Sequence, residues 1–324
     1  MRRRHFLAAL GGAAVSWPCA ALAQKALPRI GFLADGAAAS INSAYQIRTI
    51  KQGLADNGLI EGRDYIFEPR FAAASNERLS EALRDLSGIG VSVILAEAVA
   101  SVRAAQRLVP PLPVVMIAVD DPVGNGLIAG LASPGGRTTG IATANIEIAS
   151  KMLGLQRSVL PKAASTAILH SPTNPGFLDS IRTRAGGLGI AVTPIAFQSR
   201  DELEAAFRKL AQKPPDAVQI MLDAQTSDLM DRIPVLALMH RLPAFANTPE
   251  FAGFGGLIGY GPSREHIYLR SGYFVKKILD GASPAALPVE PPSRIELWIN
   301  QNTASALNVS MPASLLASAD KIMG

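Results

Sequence analysis

The chain has 324 residues, 48% hydrophobic and 18% charged, a balance that supports a large core and two domains and excludes a disordered chain. Its formal charge of +5 is concentrated at the start, where Arg2, Arg3 and Arg4 supply three of the 31 basic residues; beyond residue 23 the remaining 28 face 26 acidic residues, a net +2. That distribution excludes an electrostatic footprint for nucleic acid, so no nucleic-acid partner is expected.

The chain opens with "MRRRHFLAALGGAAVSWPCAALAQ". A charged start, an apolar middle and the small-x-small site Ala21-Leu22-Ala23 form the pattern of a secretory signal over residues 1–23, cleaved after Ala23. The apolar stretch is too short to span a bilayer of about 30 Å. Arg3-Arg4-His5-Phe6-Leu7 also resembles a twin-arginine export signal; both export routes remain open. Cys19, the single cysteine, lies within this leader. The residues before it do not resemble a lipoprotein box. The mature chain is thus expected to be periplasmic and free of thiol chemistry.

Beyond the leader, apolar β-branched runs alternate with stretches of helical period. Arg29–Ala34 reads as a strand, and Ile47, Ile50 and Leu54 share one face of a helix over 44–57. A strand follows at 64–72, then a helix over 76–86 with Leu79, Leu83 and Leu86 in phase. Strands at 91–96 and 112–119 flank a helix over 99–108, which Pro110-Pro111 stops. The alternation restarts with a strand at 139–145 and a helix at 147–159. Further strands are predicted within 165–171, 189–197, 216–224 and 242–247. Helices at 176–186, 201–212 and 227–240 lie between them. The strands at 255–261 and 293–300, with a helix over 265–280 between them, are candidates for return crossings. Near-continuous apolar strands separated by helices predict an α/β fold with parallel sheets covered on both faces.

Between the fourth strand and the restart lies "AVDDPVGNGLIAGLASPGG", Ala118 to Gly136. Gly124, Gly126 and Gly130 are spaced one residue too widely for the dinucleotide fingerprint. Asp120 and Asp121 would repel a pyrophosphate, and Pro122 interrupts the tight turn. The stretch reads instead as a strand end at Asp121-Pro122, a glycine turn, and a short helix over 126–136. No phosphate-binding loop, nucleophile elbow or zinc motif occurs, and His170, His240 and His266 have no metal spacing. No cofactor, metal or catalytic residue is therefore expected, and the chain is not read as an enzyme.

The pieces "RIGFL", "KQGLADNGLIEGRDYIFEPRFA", "AVDDPVGNGLIAGLASPGGRTTG", "LHSPTNP", "GLIGYGPS" and the tail "VKKILDGASPAALPVEPPSRIELWINQNTASALNVSMPASLLASAD" together resemble the substrate-binding proteins of ABC transporters, in particular the tryptophan/tyrosine type. The resemblance covers nearly all of the mature chain. It implies two doubly wound α/β lobes joined by a multi-crossing hinge, the type I periplasmic-binding-protein arrangement, with a ligand cleft between the lobes. Lobe one is expected at 26–144 and 257–291, lobe two at 145–256 and 292–324. The implied partners are a small-molecule ligand, such as an amino acid or a related small molecule, and an inner-membrane ABC permease, served by a monomer. A secreted sensory protein for a membrane receptor is the alternative; a nucleotide-dependent enzyme stands further off. One departure bears on the ligand: where the family usually has Gly-Thr-Pro-like residues after the third strand, this chain has Glu97-Ala98-Val99-Ala100.

Ligands in open α/β sheets bind at the carboxyl ends of strands. The candidate contacts are therefore Asp35, Glu97, Ala98, Val99 and Asp121 in lobe one and Ser171, Asn174, Asp223 and Thr248 in lobe two. Asp223 is read either as the acid for a ligand ammonium or as a helix N-cap. Ser171 and Asn174 suit a ligand carboxylate or the cap of the helix after Pro175. Asp121 suits a turn as well as a contact. Asn145, at the first crossing, is a hinge or contact residue, and Tyr260 offers a ring face or packing.

Overall fold

The structure is a computed structural model that describes residues 26–73, 75–172, 177–223 and 226–324. The leader, Cys19 and Asn174 lie outside the described residues.

The first lobe begins with β1 (Arg29–Ala34), α1 (Ile41–Asp56), β2 (Ile66–Phe71), α2 (Asn76–Gly88), β3 (Val93–Glu97), α3 (Ala98–Gln106), β4 (Val114–Asp120) and β5 (Thr138–Thr143). Its sheet has the order β2-β1-β3-β4-β5, and every pairing is parallel. Alternate residues of each strand serve opposite faces. Ile30, Phe32, Val93 and Leu95 pack towards α1, while Leu33, Ile94 and Ala96 pack towards α2 and α3. This period of two on strands with no polar face is what a sheet covered on both sides requires. Caps fix the helix starts: Ser40 and Ser43 form a reciprocal capping box on α1, and Ser75 caps α2.

The second lobe runs through α4 (Asn145–Val159), β6 (Ser165–His170), α5 (Phe177–Gly187), β7 (Ala191–Ala196), α6 (Arg200–Gln212), β8 (Ala217–Met221), α7 (Arg232–Met239), β9 (Ala244–Ala246), α8 (Glu250–Gly253) and β10 (Ile258–Pro262). The chain then returns to the first lobe as α9 (Arg264–Leu279). It ends in the second lobe with β11 (Ile295–Asn300), α10 (Gln301–Leu307), α11 (Ala313–Ala317) and β12 (Lys321–Met323). The second sheet has the order β12-β11-β10-β9-β8-β6-β7 and is parallel except where β10 meets β11. Two apolar clusters cover its two faces.

Three elements differ from expectation. Residues 258–262, expected in lobe one, form β10 in the second sheet, beside β9 and β11; the crossing follows Pro262, because a glycine-rich strand fits closely against the 247–249 backbone. The stretch 126–136 forms turns, not a helix. Gly126, Gly135 and Gly136 take left-handed backbone angles, Ala129 N–H donates to the Pro134 carbonyl, and buried Leu127 and Ile128 pin the loop to the core. The helix expected over 227–240 is split into a 3-10 turn at Thr226–Leu229 and α7. Pro234, in the first turn of α7, lacks an N–H and would clash with the carbonyl of residue 230 in a continuous helix.

The chain therefore crosses between lobes three times: at Ala144, at Ser263, and between Glu290, bridged to Ile141 of the first sheet, and Ile295. The second return is anchored by close packing of α9 on α1. A Cβ on Gly53 would stand 2.2 Å from the Leu269 carbonyl oxygen, and one on Gly272 would stand 2.3 Å from the Gly53 carbonyl. Two glycines therefore let the two helix backbones touch.

Candidate functional site

The carboxyl ends of the two sheets meet around a cavity of about 460 Å³. Many of the wall residues sit there because a strand stops there, and α1, α3 and α9 supply others. β1 delivers Asp35, β3 delivers Glu97, β4 delivers Asp120 and β5 delivers Thr143. From the second lobe β8 delivers Leu222 and Asp223, β9 delivers Asn247 and Thr248, and β10 delivers Pro262.

Two irregularities shape the first-lobe wall. The register between β4 and β5 shifts at Met116/Val119, where Ala118 takes φ 53°. This bulge turns Val119 back into the core and leaves Ala118 exposed on the cavity. Ala98, with φ 62°, makes the β3-to-α3 turn. A non-glycine residue in the left-handed region is held there only by its surroundings.

Glu97 is the centre of the polar floor and is 3% exposed. Gln46 of α1 donates Nε2–H to both its oxygens, at 2.9 and 3.1 Å, and lies 3.0 Å from the Tyr268 hydroxyl of α9. Tyr268 donates its hydroxyl to Glu97 Oε1. Burial, reinforced by Asp35, pushes the Glu97 carboxyl up to about 7 against the Tyr268 and Gln46 hydrogen bonds and the Arg264 charge. Burial and then the Glu97 charge likewise raise the Tyr268 phenol. Arg264 is the counter-charge. It donates to Asn42 Oδ1, and its guanidinium carbon stands 5.7 and 5.8 Å from the ring centres of Tyr45 and Tyr268. Burial works against the Arg264 charge, but Tyr268, Glu250 and Glu97 outweigh it and hold the group firmly protonated. Since Glu250 belongs to α8, that attraction reaches across the two lobes.

The second-lobe wall is fixed by its own hydrogen bonds. Asp223 Oδ1 accepts from the backbone N–H and the hydroxyl of Thr226, both at 2.9 Å. Asn247 bonds both polar groups of the Leu222 backbone, at 2.8 and 2.9 Å, which holds the β8 and β9 ends together. A direct bond also joins the lobes: Ala37 N–H donates to Asp228 Oδ2 at 2.9 Å.

Of the residues expected from sequence, Asp35, Glu97, Ala98, Val99, Asn145, Asp223 and Thr248 line the cavity. Asp223 lines the cavity and also caps the 3-10 turn. Asn145 is the first residue of α4, and its N–H is capped by Asp120 Oδ1 at 3.0 Å. Three candidates stand apart from the wall. Asp121 is exposed, has φ 38° and accepts from Gly124 N–H at 2.9 Å, so it builds the turn while Asp120 faces the cavity. Ser171 is buried beside His170, whose Nδ1 lies 2.8 Å from the Ser171 carbonyl. Tyr260 packs against the second-lobe core, opposite Leu297 of β11.

Sequence reasoning missed Gln46, Thr143, Arg264 and Tyr268. Gln46 and Tyr268 lie inside helices, where the periodic pattern signals burial and nothing about a partner. Thr143 carried no signal in its sequence surroundings; in the fold its hydroxyl is buried without a partner among the described residues. Arg264 had one available sign, its place directly after the second crossing.

Two α/β lobes, three crossings and a cavity walled by both define a two-lobed ligand-binding protein of the type I periplasmic class. The family described as ABC transporter substrate binding protein matches residues 39–323, and the chain belongs to that family. Among curated proteins it is similar to a tyrosine-binding protein of Clostridioides difficile (strain R20291), 26% identical over 220 residues, 67% of this chain and 63% of that protein's length. Among solved structures it is similar to a conserved domain protein from Vibrio cholerae, with TM-score 0.82, 21% identity and coverage of 91% of this chain and 99% of the other. It is also similar to an ABC domain in complex with L-Trp from Streptococcus pneumonia, with TM-score 0.80, 22% identity and coverage of 92% and 100%. At these identities the structural likeness establishes the fold.

Proposed function

We propose that this chain is the solute-binding component of an ABC importer, exported after cleavage at Ala23 and working in the periplasm as a monomer. The observation that carries this reading is the cavity itself, whose wall is supplied by strand ends of both lobes. A solute held there touches Glu97 and Asp35 on one side and Asp223 and Thr248 on the other. It therefore favours the arrangement in which the lobes are close, by as much as its contacts differ between open and closed forms. The permease then recognises the closed form. No bond is made or broken.

Two similar proteins, a tyrosine-binding protein and an ABC domain in complex with L-Trp, support an amino acid or a related small amine as the solute class. The site has the chemistry to hold an ammonium, since carboxylates on both lobes face the cavity. Thermal-shift screening of residues 24–324 against amino acids, purines and small acids tests the reading. A true ligand at 100 times its Kd should stabilise the chain by about 2.7 kcal/mol, and X-ray scattering should show a smaller radius of gyration in its presence. A chain that no small solute stabilises or compacts, or that turns one over, would sink the proposal.

A further inference from the structure

We propose that Arg264 reads a carboxylate of the solute, with the ammonium of the same molecule turned towards Glu97, so that the solute is an amino acid and not a simple amine. This inference rests on the solute-binding reading above and narrows its ligand.

Arg264 stands where an anion can be met. It is the first residue of α9, directly after the second crossing, and with Pro262 it lines the cavity. A guanidinium presents several N–H donors in a fixed fork that matches a carboxylate. Nη2 donates to Asn42 Oδ1, and the Tyr268 hydroxyl interacts with the same group. Glu97 and Glu250 attract it through space, but among the described residues no carboxylate forms a direct ion pair with it. Donors therefore remain for a guest. The 16-residue helix that Arg264 opens adds the positive end of its dipole, and its first N–H groups have no acceptor within the helix. Arg103, also on the wall, is exposed and donates to the Asn125 carbonyl at 2.7 Å, where solvent screens its charge.

Glu97 supplies the complement. The Tyr268 hydroxyl stands between the two charges, donating to Glu97 Oε1 and interacting with the Arg264 guanidinium. Opposite charges one hydroxyl apart suit a molecule that carries an ammonium and a carboxylate on one carbon. The bonds from Gln46 and Tyr268 to Glu97 can stay in place, because a carboxylate has about four acceptor sites. The Thr143 hydroxyl is an independent sign of a polar guest. It belongs to a wall residue and has no hydrogen-bond partner among the described residues, whereas buried polar atoms are nearly always partnered. With both charged heads on the first lobe, Leu222, Asn247 and Thr248 of the second lobe are left to meet the side chain.

Isothermal titration of residues 24–324 with the protein amino acids, each beside its decarboxylated amine (L-tyrosine with tyramine, L-tryptophan with tryptamine, L-arginine with agmatine), tests the inference. The tightest amino acid should bind at least about tenfold better than its amine. In Arg264→Gln that preference should collapse, with the acid weakened by at least about tenfold and the amine by less than about threefold. Comparing acid with amine inside one variant cancels any change in folding or closure that both share. Arg103→Gln should keep the preference. Should Arg264→Gln fail to fold, Arg264→Lys and the wild type titrated with the neutral amide of the same amino acid carry the test, both with a reduced preference expected. An amine or amide that binds as tightly as its acid, an unchanged preference in a folded Arg264 variant, or binding of purines or small acids alone overturns the carboxylate assignment while leaving the solute-binding reading intact. No binding or compaction with any probe in this panel or the wider screen overturns both.

Discussion

Glu97 gathers more of the chemistry than any other residue. Its carboxyl meets Gln46 from α1, Asp35 from β1, and Tyr268 and Arg264 from α9, with Glu250 acting on Arg264 from the other lobe. Because burial raises it from 4.5 to about 7, the folded chain holds a proton that the unfolded chain has released between those values. The contribution of this group to stability is therefore fully present below about pH 4.5 and is lost as pH rises through about 7, an effect on the order of 3 kcal/mol at most. Urea denaturation of the wild type and Glu97→Gln at about pH 5 and about pH 8 should show this slope in the wild type and its absence in the variant. A solute whose ammonium meets Glu97 would favour the ionised form, so its affinity should rise with pH across the same range. Asp223 separates into its two roles by a different substitution. Asparagine caps as well as aspartate, so Asp223→Asn should keep stability within about 0.5 kcal/mol and lower the affinity for an amino acid or amine solute through the lost charge alone. Equal loss of both would make Asp223 structural only.

At the scale of elements, the contact between α1 and α9 holds Gln46 and Tyr268 in reach of Glu97. It depends on Gly53 and Gly272, where the backbones approach too closely for a Cβ. Gly272→Ala should destabilise the chain by about 1–3 kcal/mol and, by parting the two helices, raise the ligand Kd; a melting temperature equal to wild type would show that the helices shift freely. Local signals placed most of these elements. The period-two strands β1, β3 and β4, the in-phase leucines of α2 and the proline stop after α3 were legible because each is set by residues a few positions apart. The 126–136 loop was not. Its leucine and isoleucine mimic a helical face, and only the left-handed glycines and burial of Leu127 and Ile128 against the first lobe decide its form.

At the scale of the whole molecule, the Ala37 N–H to Asp228 Oδ2 bond joins the two lobes directly. It holds the loop after β1 against the turn after β8, the two sides of the cavity. Asp228→Ala removes it without touching the cavity wall. The closed arrangement should lose support, with ligand affinity falling about threefold to tenfold and the radius of gyration rising in ligand-free scattering. An unchanged radius and affinity would show that the bond contributes nothing to closure.

The alternation of strands and helices, the covered parallel sheets, the family and the strand-end positions of Asp35, Glu97, Asp223 and Thr248 followed from the sequence, because side-chain period and turn chemistry act over a few residues. The assignment of β10 to the second sheet, the choice of Asp120 over Asp121 and the set of Gln46, Tyr268 and Arg264 around Glu97 followed only from the fold. Glu97 and Tyr268 are 171 positions apart, and Gln46 and Tyr268 are 222 apart. Nothing in a local pattern fixes which distant side chain will meet a buried carboxylate; that is settled when the packed lobes exclude water and leave it no other donor.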